Sequence, residues 1–520
     1  MVSPAAALAA PTPVGFADAA GIKVVSAHRI DSRQFDVALL SAALGRPVHV
    51  RILVPKGYAA ASARYPVLYL YTGTGGTAGD WVDSGQAEQT TASLPLITVM
   101  SDVGLPGQLA SSLFVNWVDS TTSWGPSQWE TFQVDQLIPW VDANLRTVAA
   151  RSGRAIAGLS QGAYGAMVAA ARHPDLFTSA AGLSGLLDID YNPVIAAAAT
   201  AFVAGITVAN GVQPDAIMGS RLTHQANWVG HDPTDLLENM RPLSLWLFTG
   251  NGLPGPLDPT PINPEGSAIE VLAHAMTTSM EQRAVQLGIP IHLDDYGAGT
   301  HSFPYWARDL REYLQGLMPR FQVPPPEPTR ITYLSVDPSW SRWGWSVSFQ
   351  RSQAQELGSI TGASAAGFTL RGTGAASVVT PPLYRPGSTA AVAISGATQE
   401  LTADRAGRLH LEVPLGGSPI RSVIGDPDAP STAGSATVAI RGVSQGLSTA
   451  GAGSAASPSA ASPAQRSAAP ALVAGATGAR TAAPAPRGSL PLTGGRTGWA
   501  VLAALAMGLA LTLRRQVRRA

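Results

Sequence analysis

Over its first 320 residues the chain alternates between two hydrophobic patterns. Short apolar runs, Val67-Leu68-Tyr69-Leu70-Tyr71, Leu96-Ile97-Thr98-Val99-Met100, Ala155-Ile156-Ala157 and Leu245-Trp246-Leu247-Phe248, read as buried strands. Stretches of helical character at 129–145, 162–172 and 266–287 lie between them. This alternation predicts an α/β domain over 21–320, with a mostly parallel sheet and helices on both faces. From 329 to 442 the pattern changes to short runs such as Ile331-Thr332-Tyr333-Leu334, Ala390-Ala391-Val392-Ala393-Ile394 and Leu409-His410-Leu411-Glu412-Val413. Turn residues separate these runs and no long helical period intervenes, which predicts a small all-β, sandwich-like accessory domain. Pro324-Pro325-Pro326 and Pro328 mark the boundary between the two.

Residues 443–488 hold almost only Ala, Ser, Gly, Pro and Thr, with a few Arg. Such a stretch buries too little apolar area to offset its ordering entropy, so it reads as a disordered spacer. The N-terminal Ala5 to Ala10 before Pro11 resembles the end of a signal peptide, making residues 1–20 the remnant of a leader. At the other end, Leu490-Pro491-Leu492-Thr493-Gly494 precedes an apolar segment, Trp499 to Leu513, and then Arg514-Arg515-Gln516-Val517-Arg518-Arg519. The apolar segment falls short of the about 20 residues that cross a bilayer comfortably, and the arginines behind it hold it with its positive end inside. This order, residues 489–520, resembles a Gram-positive LPxTG cell-wall sorting signal, in which a sortase cuts between Thr493 and Gly494. The resemblance implies export, a membrane-associated stage, and sortase and peptidoglycan as partners; an uncleaved tail anchor is the alternative.

Composition then narrows the chemistry. The 520 residues include 34 basic and 34 acidic side chains and only 13% charged residues, against about 25% in an average soluble domain. A hydrophobic share of 45% excludes wholesale disorder despite 54 glycines and 41 prolines. The zero net charge speaks against nucleic acid as a partner, because phosphate binding needs a basic surface. The absence of cysteine removes disulfides, thiolate zinc sites and thiol nucleophiles; no metal and no cofactor are expected. Sorting at Thr493 would discard Arg496, Arg514, Arg515, Arg518 and Arg519 and no acid, leaving a product near −5.

One loop carries a candidate nucleophile. Gly158-Leu159-Ser160-Gln161-Gly162 follows the strand-like Ala155-Ile156-Ala157 and precedes a small-residue helical run from Ala163 to Ala171. A G-x-S-x-G turn between strand and helix is a nucleophile elbow: it holds a serine oxygen above the sheet at a helix N-terminus, where the dipole favours developing negative charge. A second copy, Gly442-Val443-Ser444-Gln445-Gly446, opens into the spacer with no helix and no histidine after it. Five histidines follow Ser160: His224, His231, His274, His292 and His301. His301 lies in Gly299-Thr300-His301-Ser302-Phe303-Pro304, between the strand-like Ile291-His292-Leu293 and a helix-like run from Ala307, where a last-strand loop delivers a general base. The acid stays open among Asp258, Glu265, Glu270, Asp294 and Asp295, with spacing favouring Asp258 or the region 265–270.

These residues resemble the secreted mycolyltransferases, or antigen-85-type proteins, within the esterase-D-like α/β-hydrolases. The likeness spans about residues 22–318. It rests on Gln128-Trp129-Glu130-Thr131-Phe132, Leu137 and Trp140, Gly158-Leu159-Ser160, His173-Pro174 and Leu183-Ser184-Gly185-Leu186-Leu187-Asp188. Asp232-Pro233-Thr234, Leu245-Trp246, Gly250-Asn251-Gly252 and Gly299-Thr300-His301-Ser302 extend it. The resemblance implies an α/β-hydrolase fold with Ser160 as nucleophile, His301 as base and a helical glutamate as acid. Glu270 fits that glutamate best, preceding Thr277 on the same helix. It also implies an oxyanion hole from the backbone N–H groups of Thr74 and Gln161. The loop Thr72-Gly73-Thr74-Gly75-Gly76 departs from the family: Thr72 and Gly75 stand where the mycolyltransferases carry an acidic residue and an arginine that contact trehalose.

The implied activity is acyl transfer from a lipid or glycolipid ester, through a serine acyl-enzyme, to a sugar or lipid hydroxyl or to water. The rival reading is a wall-displayed adhesion protein that binds a host matrix protein on a hydrolase-like scaffold. If the sorting signal works, mass spectrometry of cell-wall digests will find chains ending at Thr493; wall material running on to Ala520 would refute it.

Overall fold

The computed structural model describes residues 15–106, 111–351, 356–416 and 434–444. Nine strands form the first sheet: β1 (Ile22–Arg29), β2 (Gln34–Ser41), β3 (Pro47–Leu53), β4 (Val67–Tyr71), β5 (Ile97–Ser101), β6 (Arg154–Leu159), β7 (Ser179–Leu183), β8 (Ser244–Thr249) and β9 (Ile291–Asp295). Their order is β1-β2-β3-β5-β4-β6-β7-β8-β9. The strands from β5 to β9 run parallel, while β1, β2 and β3 add an antiparallel flank. Helices α1 (Asp80–Asp83) and α2 (Ala87–Thr91) follow β4, and α3 (Ile138–Asn144) and α4 (Gln161–Arg172) flank β6. Then come α5 (Pro193–Ala209), α6 (Arg221–Val229), α7 (Pro264–Leu287) and α8 (Phe303–Gln322). This is an α/β-hydrolase fold.

Side-chain alternation explains the layering. Along β4, Val67, Tyr69 and Tyr71 enter one core, whereas Leu68 and Leu70 enter the other. Ile156 of β6 joins the first core and Ala155, Ala157 and Leu159 the second. A strand covered on both faces has no solvent side, which is why these runs are continuously apolar. Helix α4 is built from Ala163, Gly165, Ala166, Ala169, Ala170 and Ala171, all buried, and small residues let it lie close on the sheet. Helix α8 packs Trp306, Leu310, Tyr313, Leu314 and Leu317 into the second core and exposes Arg311 and Glu312.

Local chemistry sets the helix ends. Asn192 and Asn263 cap α5 and α7 through their side-chain oxygens, and Pro193 and Pro264 follow in the first turn. Gly288 ends α7 in the left-handed conformation at φ 63°. The stretch 129–145 is helical but contains a π-helical segment, Thr131–Leu137. Helix α8 begins at Phe303 and not at Ala307, because Pro304 is tolerated in a first turn.

Two boundaries differ from the sequence expectation. Phe16 stacks on Trp140 at 5.6 Å, Ala17 N–H donates to Asn144 Oδ1 at 2.6 Å and Trp140 Nε1 donates to the Ala17 carbonyl at 2.9 Å, so residues 16 and 17, inside the stretch 1–20, pack against α3. The last strand, Gly434–Ser444, pairs Ser444 with Thr389, which draws the first two residues of the expected spacer into a sheet. Ser444, the second G-x-S-x-G serine, therefore ends a strand. The rest of the spacer and the sorting signal lie outside the described residues, and among the described residues no helix is long and apolar enough to cross a membrane.

The accessory domain is all-β, as its pattern predicts. It comprises β10 (Ile331–Ser335), β11 (Ser339–Arg342), β12 (Trp345–Gln350), β13 (Gly358–Ser364), β14 (Gly367–Gly372), β15 (Gly374–Val379), β16 (Thr389–Ile394), β17 (Ala397–Thr402), β18 (His410–Gly416) and β19 (Gly434–Ser444). They form a six-stranded and a four-stranded sheet with a shared apolar core.

This domain grips the C-terminal end of α4. The Arg172 guanidinium donates to Asp337 at 3.0 Å and to Glu130 at 2.8 Å, while the Arg172 carbonyl accepts from Tyr333 Oη at 2.7 Å and from Arg342 Nε. Positive charge and hydroxyls at a helix C-terminus satisfy carbonyls that have no intrahelical donor. Nearby, Ala226, Val229, Val336 and Leu357 form an apolar contact between the domains. Glu130 also receives His173 at 2.7 Å. Burial alone would raise the Glu130 carboxyl, but Arg172 and His173 outweigh it and hold it well below the usual range. Burial and then Arg172 push His231 down to about 4.

Two outcomes follow from this joint. Asp337→Ala removes one of the two carboxylate partners of a buried guanidinium and should cost about 2 kcal/mol, read as a lower Tm for the whole chain in calorimetry. Acid should weaken this joint in two windows. The unfolded chain takes up the His231 proton near 6.5 while the folded one resists until about 4, so stability falls as pH drops between those values. Below about 4.5 the depressed Glu130 adds a further loss as the unfolded chain protonates first. Thermal denaturation across pH 4–7 checks the first window, and His231→Gln should flatten it.

Candidate active site

The turn between β6 and α4 holds Ser160 at φ 54° and ψ −122°, a conformation that costs a non-glycine residue backbone strain. The surroundings enforce it. Ser160 N–H donates to the Leu183 carbonyl at 2.9 Å. A Cβ at Gly158 would land on the Gly162 carbonyl, and one at Gly162 on the carbonyls of Thr72 and Tyr71. One at Gly73 would lie 2.8 Å from Leu159 Cδ1 and 3.1 Å from Ser160 Cβ. Three glycines thus let the α4 N-terminus, the end of β4 and the loop after it meet around Ser160. The serine is partly exposed in an otherwise buried region.

The loop after β9 brings His301 beside α7. His301 Nδ1 lies 2.7 Å from Glu270 Oε2, and both side chains are buried. A carboxylate acceptor at that distance places the proton on Nδ1. The other carboxylate oxygen, Oε1, accepts from Ser184 Oγ at 2.8 Å, Thr249 Oγ1 at 3.1 Å and Gly250 N–H at 2.8 Å. Glu270 is therefore fixed from β7, β8 and the loop beyond. The Trp306 ring meets the imidazole edge-on at 4.8 Å. Among the described residues His301 Nε2 is buried without a hydrogen-bond partner, and none joins it to Ser160. Triad hydrogen bonds are often long before substrate binds. Burial pushes the nearby Asp309 carboxyl up to about 8, with Arg308 opposing and Asp294 and Glu270 reinforcing.

Thr74 stands exposed at the tip of the loop after β4, and Gln161 is the buried first residue of α4. A helix's first N–H groups have no intrahelical acceptor, so the Gln161 N–H is available beside Ser160. The two side chains touch: Thr74 Oγ1 donates to Gln161 Oε1 at 2.8 Å.

The other acidic residues sit elsewhere. Asp258 accepts from Thr300 Oγ1, from Tyr305 Oη at 3.2 Å and from Gly255 N–H at 2.7 Å, which ties its loop to the segment carrying His301 without reaching the imidazole. Glu265 is exposed in the first turn of α7, Asp294 pairs with Arg308 at 2.6 Å, and Asp295 pairs with His274 at 3.0 Å. Among the histidines, His231 faces the Glu130 cluster, His292 packs on Trp246 at 4.1 Å and His224 contacts Thr223. Sequence reasoning passed over Ser184 and Thr249 as partners of Glu270. Both lie at the carboxyl ends of parallel strands, where function collects in such sheets, and that position was the available signal. Among the described residues no group of three or more His, Asp or Glu is arranged to hold a metal ion.

The esterase family model matches residues 41–317. An esterase of Mycobacterium tuberculosis is 32% identical over 294 residues, spanning 56% of this chain and 60% of that protein. The MPT51/MPB51 antigen of Mycobacterium bovis is 31% identical over 235 residues, 44% of this chain and 71% of its own length. The diacylglycerol acyltransferase/mycolyltransferase Ag85B of Mycobacterium leprae is 30% identical over 190 residues, 35% of this chain and 54% of its own length. The chain thus spans less than two thirds of the esterase and of Ag85B.

The geometry separates the two strongest acid candidates. Glu270→Gln should lower turnover by at least about 100-fold, by analogy with the acid of serine hydrolases. Asp258→Asn should lower it by less than about 10-fold, since it loosens a loop and leaves the Glu270–His301 pair in place. Steady-state kinetics with a short-chain ester checks both, and the reverse order would reassign the acid.

Proposed function

The chain belongs to the esterase family whose model spans residues 41–317, and from that membership we propose that it is a serine esterase or acyltransferase working through Ser160, His301 and Glu270. The observation that carries this reading is the 2.7 Å contact of His301 Nδ1 with a buried, fully partnered Glu270, beside a serine held in a strained turn. A binding scaffold has no use for backbone strain at an accessible hydroxyl or for a buried carboxylate fixed against an imidazole, so the adhesion reading gains no support from these features.

In the proposed reaction Ser160 Oγ attacks the carbonyl carbon of an acyl ester and His301 Nε2 takes the hydroxyl proton. Glu270 stabilises the imidazolium and holds its orientation. The N–H groups of Thr74 and Gln161 receive the oxyanion. The tetrahedral adduct collapses, the alcohol leaves with the proton from His301, and the acyl group stays on Ser160. A sugar or lipid hydroxyl, or water, then gives its proton to His301 and attacks the acyl-enzyme, which releases the new ester or the acid. Transfer and hydrolysis share these groups, and acceptor binding separates them.

An acyl-lipid donor is supported by the rim of the site. Leu253, Leu257 and Val271 are exposed apolar side chains on the loop and helix next to the His301 segment. The similarity to Ag85B, a diacylglycerol acyltransferase/mycolyltransferase, supports acyl transfer, and that to the Mycobacterium tuberculosis esterase supports ester hydrolysis. Export, and wall attachment through Thr493 and Gly494 with sortase and peptidoglycan as partners, complete the proposal; their support is the order of the segments in 489–520.

A fluorophosphonate probe should label the full chain and fail to label Ser160→Ala; equal labelling of the two, or none of either, refutes the enzyme. With a short-chain ester as donor, product analysis with added diacylglycerol or trehalose distinguishes transfer from hydrolysis.

A further inference from the structure

The loop that supplies one oxyanion donor has little of its own to hold it. Of Thr72-Gly73-Thr74-Gly75-Gly76, three residues are glycines, and Gly75 takes φ 80°. Glycine gives the backbone freedom and offers no side chain to fasten. The two threonines do the fastening. Thr72 Oγ1 donates to Asp80 Oδ2 at 3.1 Å on one side of the loop. Thr74 Oγ1 donates to Gln161 Oε1 at 2.8 Å on the other. Ser111 Oγ donates to the same Gln161 oxygen from the segment before Phe114, and Phe114 stacks on Tyr71 at 4.2 Å. The Gln161 side chain is fully buried; among the described residues its amide nitrogen has no hydrogen-bond partner and its carbonyl end is engaged by these two hydroxyls.

Gln161 therefore has two attachments to the same feature. Its backbone N–H opens α4 next to Ser160, and its side chain holds Thr74, the residue proposed above to supply the other donor. We propose that the Gln161 carboxamide and the Thr74 hydroxyl are positioning groups that set the spacing of the two oxyanion donors, with Ser111 fixing the amide from behind. This inference rests on the active-site reading given above. Its physical basis is that preorganised donors stabilise a transition state only when they already point at the developing charge. A loop of glycines released from its anchor would have to be reordered in each turnover, which raises the barrier without weakening ground-state binding.

The test compares Thr74→Val, which keeps the shape and the backbone N–H but removes the hydroxyl, with Thr74→Ser, which restores it. Removing a whole oxyanion donor costs about 100- to 1000-fold in kcat, so loosening one should cost about 10-fold. Using the full chain and p-nitrophenyl butyrate, Thr74→Val should lose about 10-fold in kcat with KM within about 2-fold. The affinity for an alkyl trifluoromethyl ketone, which forms a tetrahedral adduct on the serine, should fall in parallel, while Thr74→Ser should stay within about 3-fold of the parent throughout. Gln161→Ala should lose a similar factor and add little to Thr74→Val in a double-mutant cycle. Thr74 is exposed, so the Tm of its variants should match the parent. A parent-like kcat in Thr74→Val, a loss expressed only in KM, or a Thr74→Ser variant as weak as Thr74→Val overturns the inference while leaving the nucleophile reading intact. A parent chain that neither hydrolyses the ester nor takes the fluorophosphonate label overturns both.

Discussion

The arrangement depends on how closely the N-terminus of α4 approaches the ends of β4 and β6. Side chains at Gly158, Gly162 or Gly73 would occupy space already filled by the Gly162, Thr72 and Tyr71 carbonyls or by Leu159 and Ser160. Without those atoms the turn closes, and Ser160 is forced to φ 54°. The cost of that backbone, of order 1–3 kcal/mol, is borne by a well-packed frame: two-sided burial of the parallel strands and a helix of small residues pressed on them. Close packing at one point thus sets where the serine hydroxyl emerges, which helix dipole it faces and which loop lies opposite.

The same helix links the chemistry to the second domain. Its first residue, Gln161, borders Ser160; its last, Arg172, is held by Asp337, Tyr333 and Arg342 of the β-sandwich and by Glu130 beneath. A buried guanidinium with carboxylates on two sides is stabilising only while every partner is present. The accessory domain therefore supplies the C-terminal partners of α4, which makes it a structural part of the α/β domain and not a detachable appendage. The acid sensitivity expected of the fold comes from this joint and not from the candidate active site.

Much of this was legible in the chain because it is local. The run Val67 to Tyr71 is a strand with those ends, and the turn around Ser160 is where a strand meets a helix. The Asn-Pro pairs open their helices. Other features were hidden because their causes lie far apart in the chain. Glu270 and Asp258 could not be ranked by spacing, since both fall after β8 at plausible distances; only the course of α7 decides that one carboxylate meets the imidazole and the other meets Thr300. Ser184 gives no sign of its role until β7 and β8 lie side by side. Phe16 gives no sign in the sequence that it stacks on Trp140.

The sequence by itself determined the two classes of domain, the elbow serine, the histidine of the last loop, and the glycines and capping residues on which those turns depend. These follow from hydrophobic period and backbone preference, which act over a few residues. The tertiary structure decided which carboxylate faces His301, what fixes its second oxygen, and how Gln161 joins Thr74 and Ser111. It also decided that Arg172 would tie the two domains together. Each of these is a hydrogen bond or ion pair between groups far apart along the chain. Such pairings depend on distances that only the packed fold defines, because a buried polar group is satisfied by whichever partner the fold delivers.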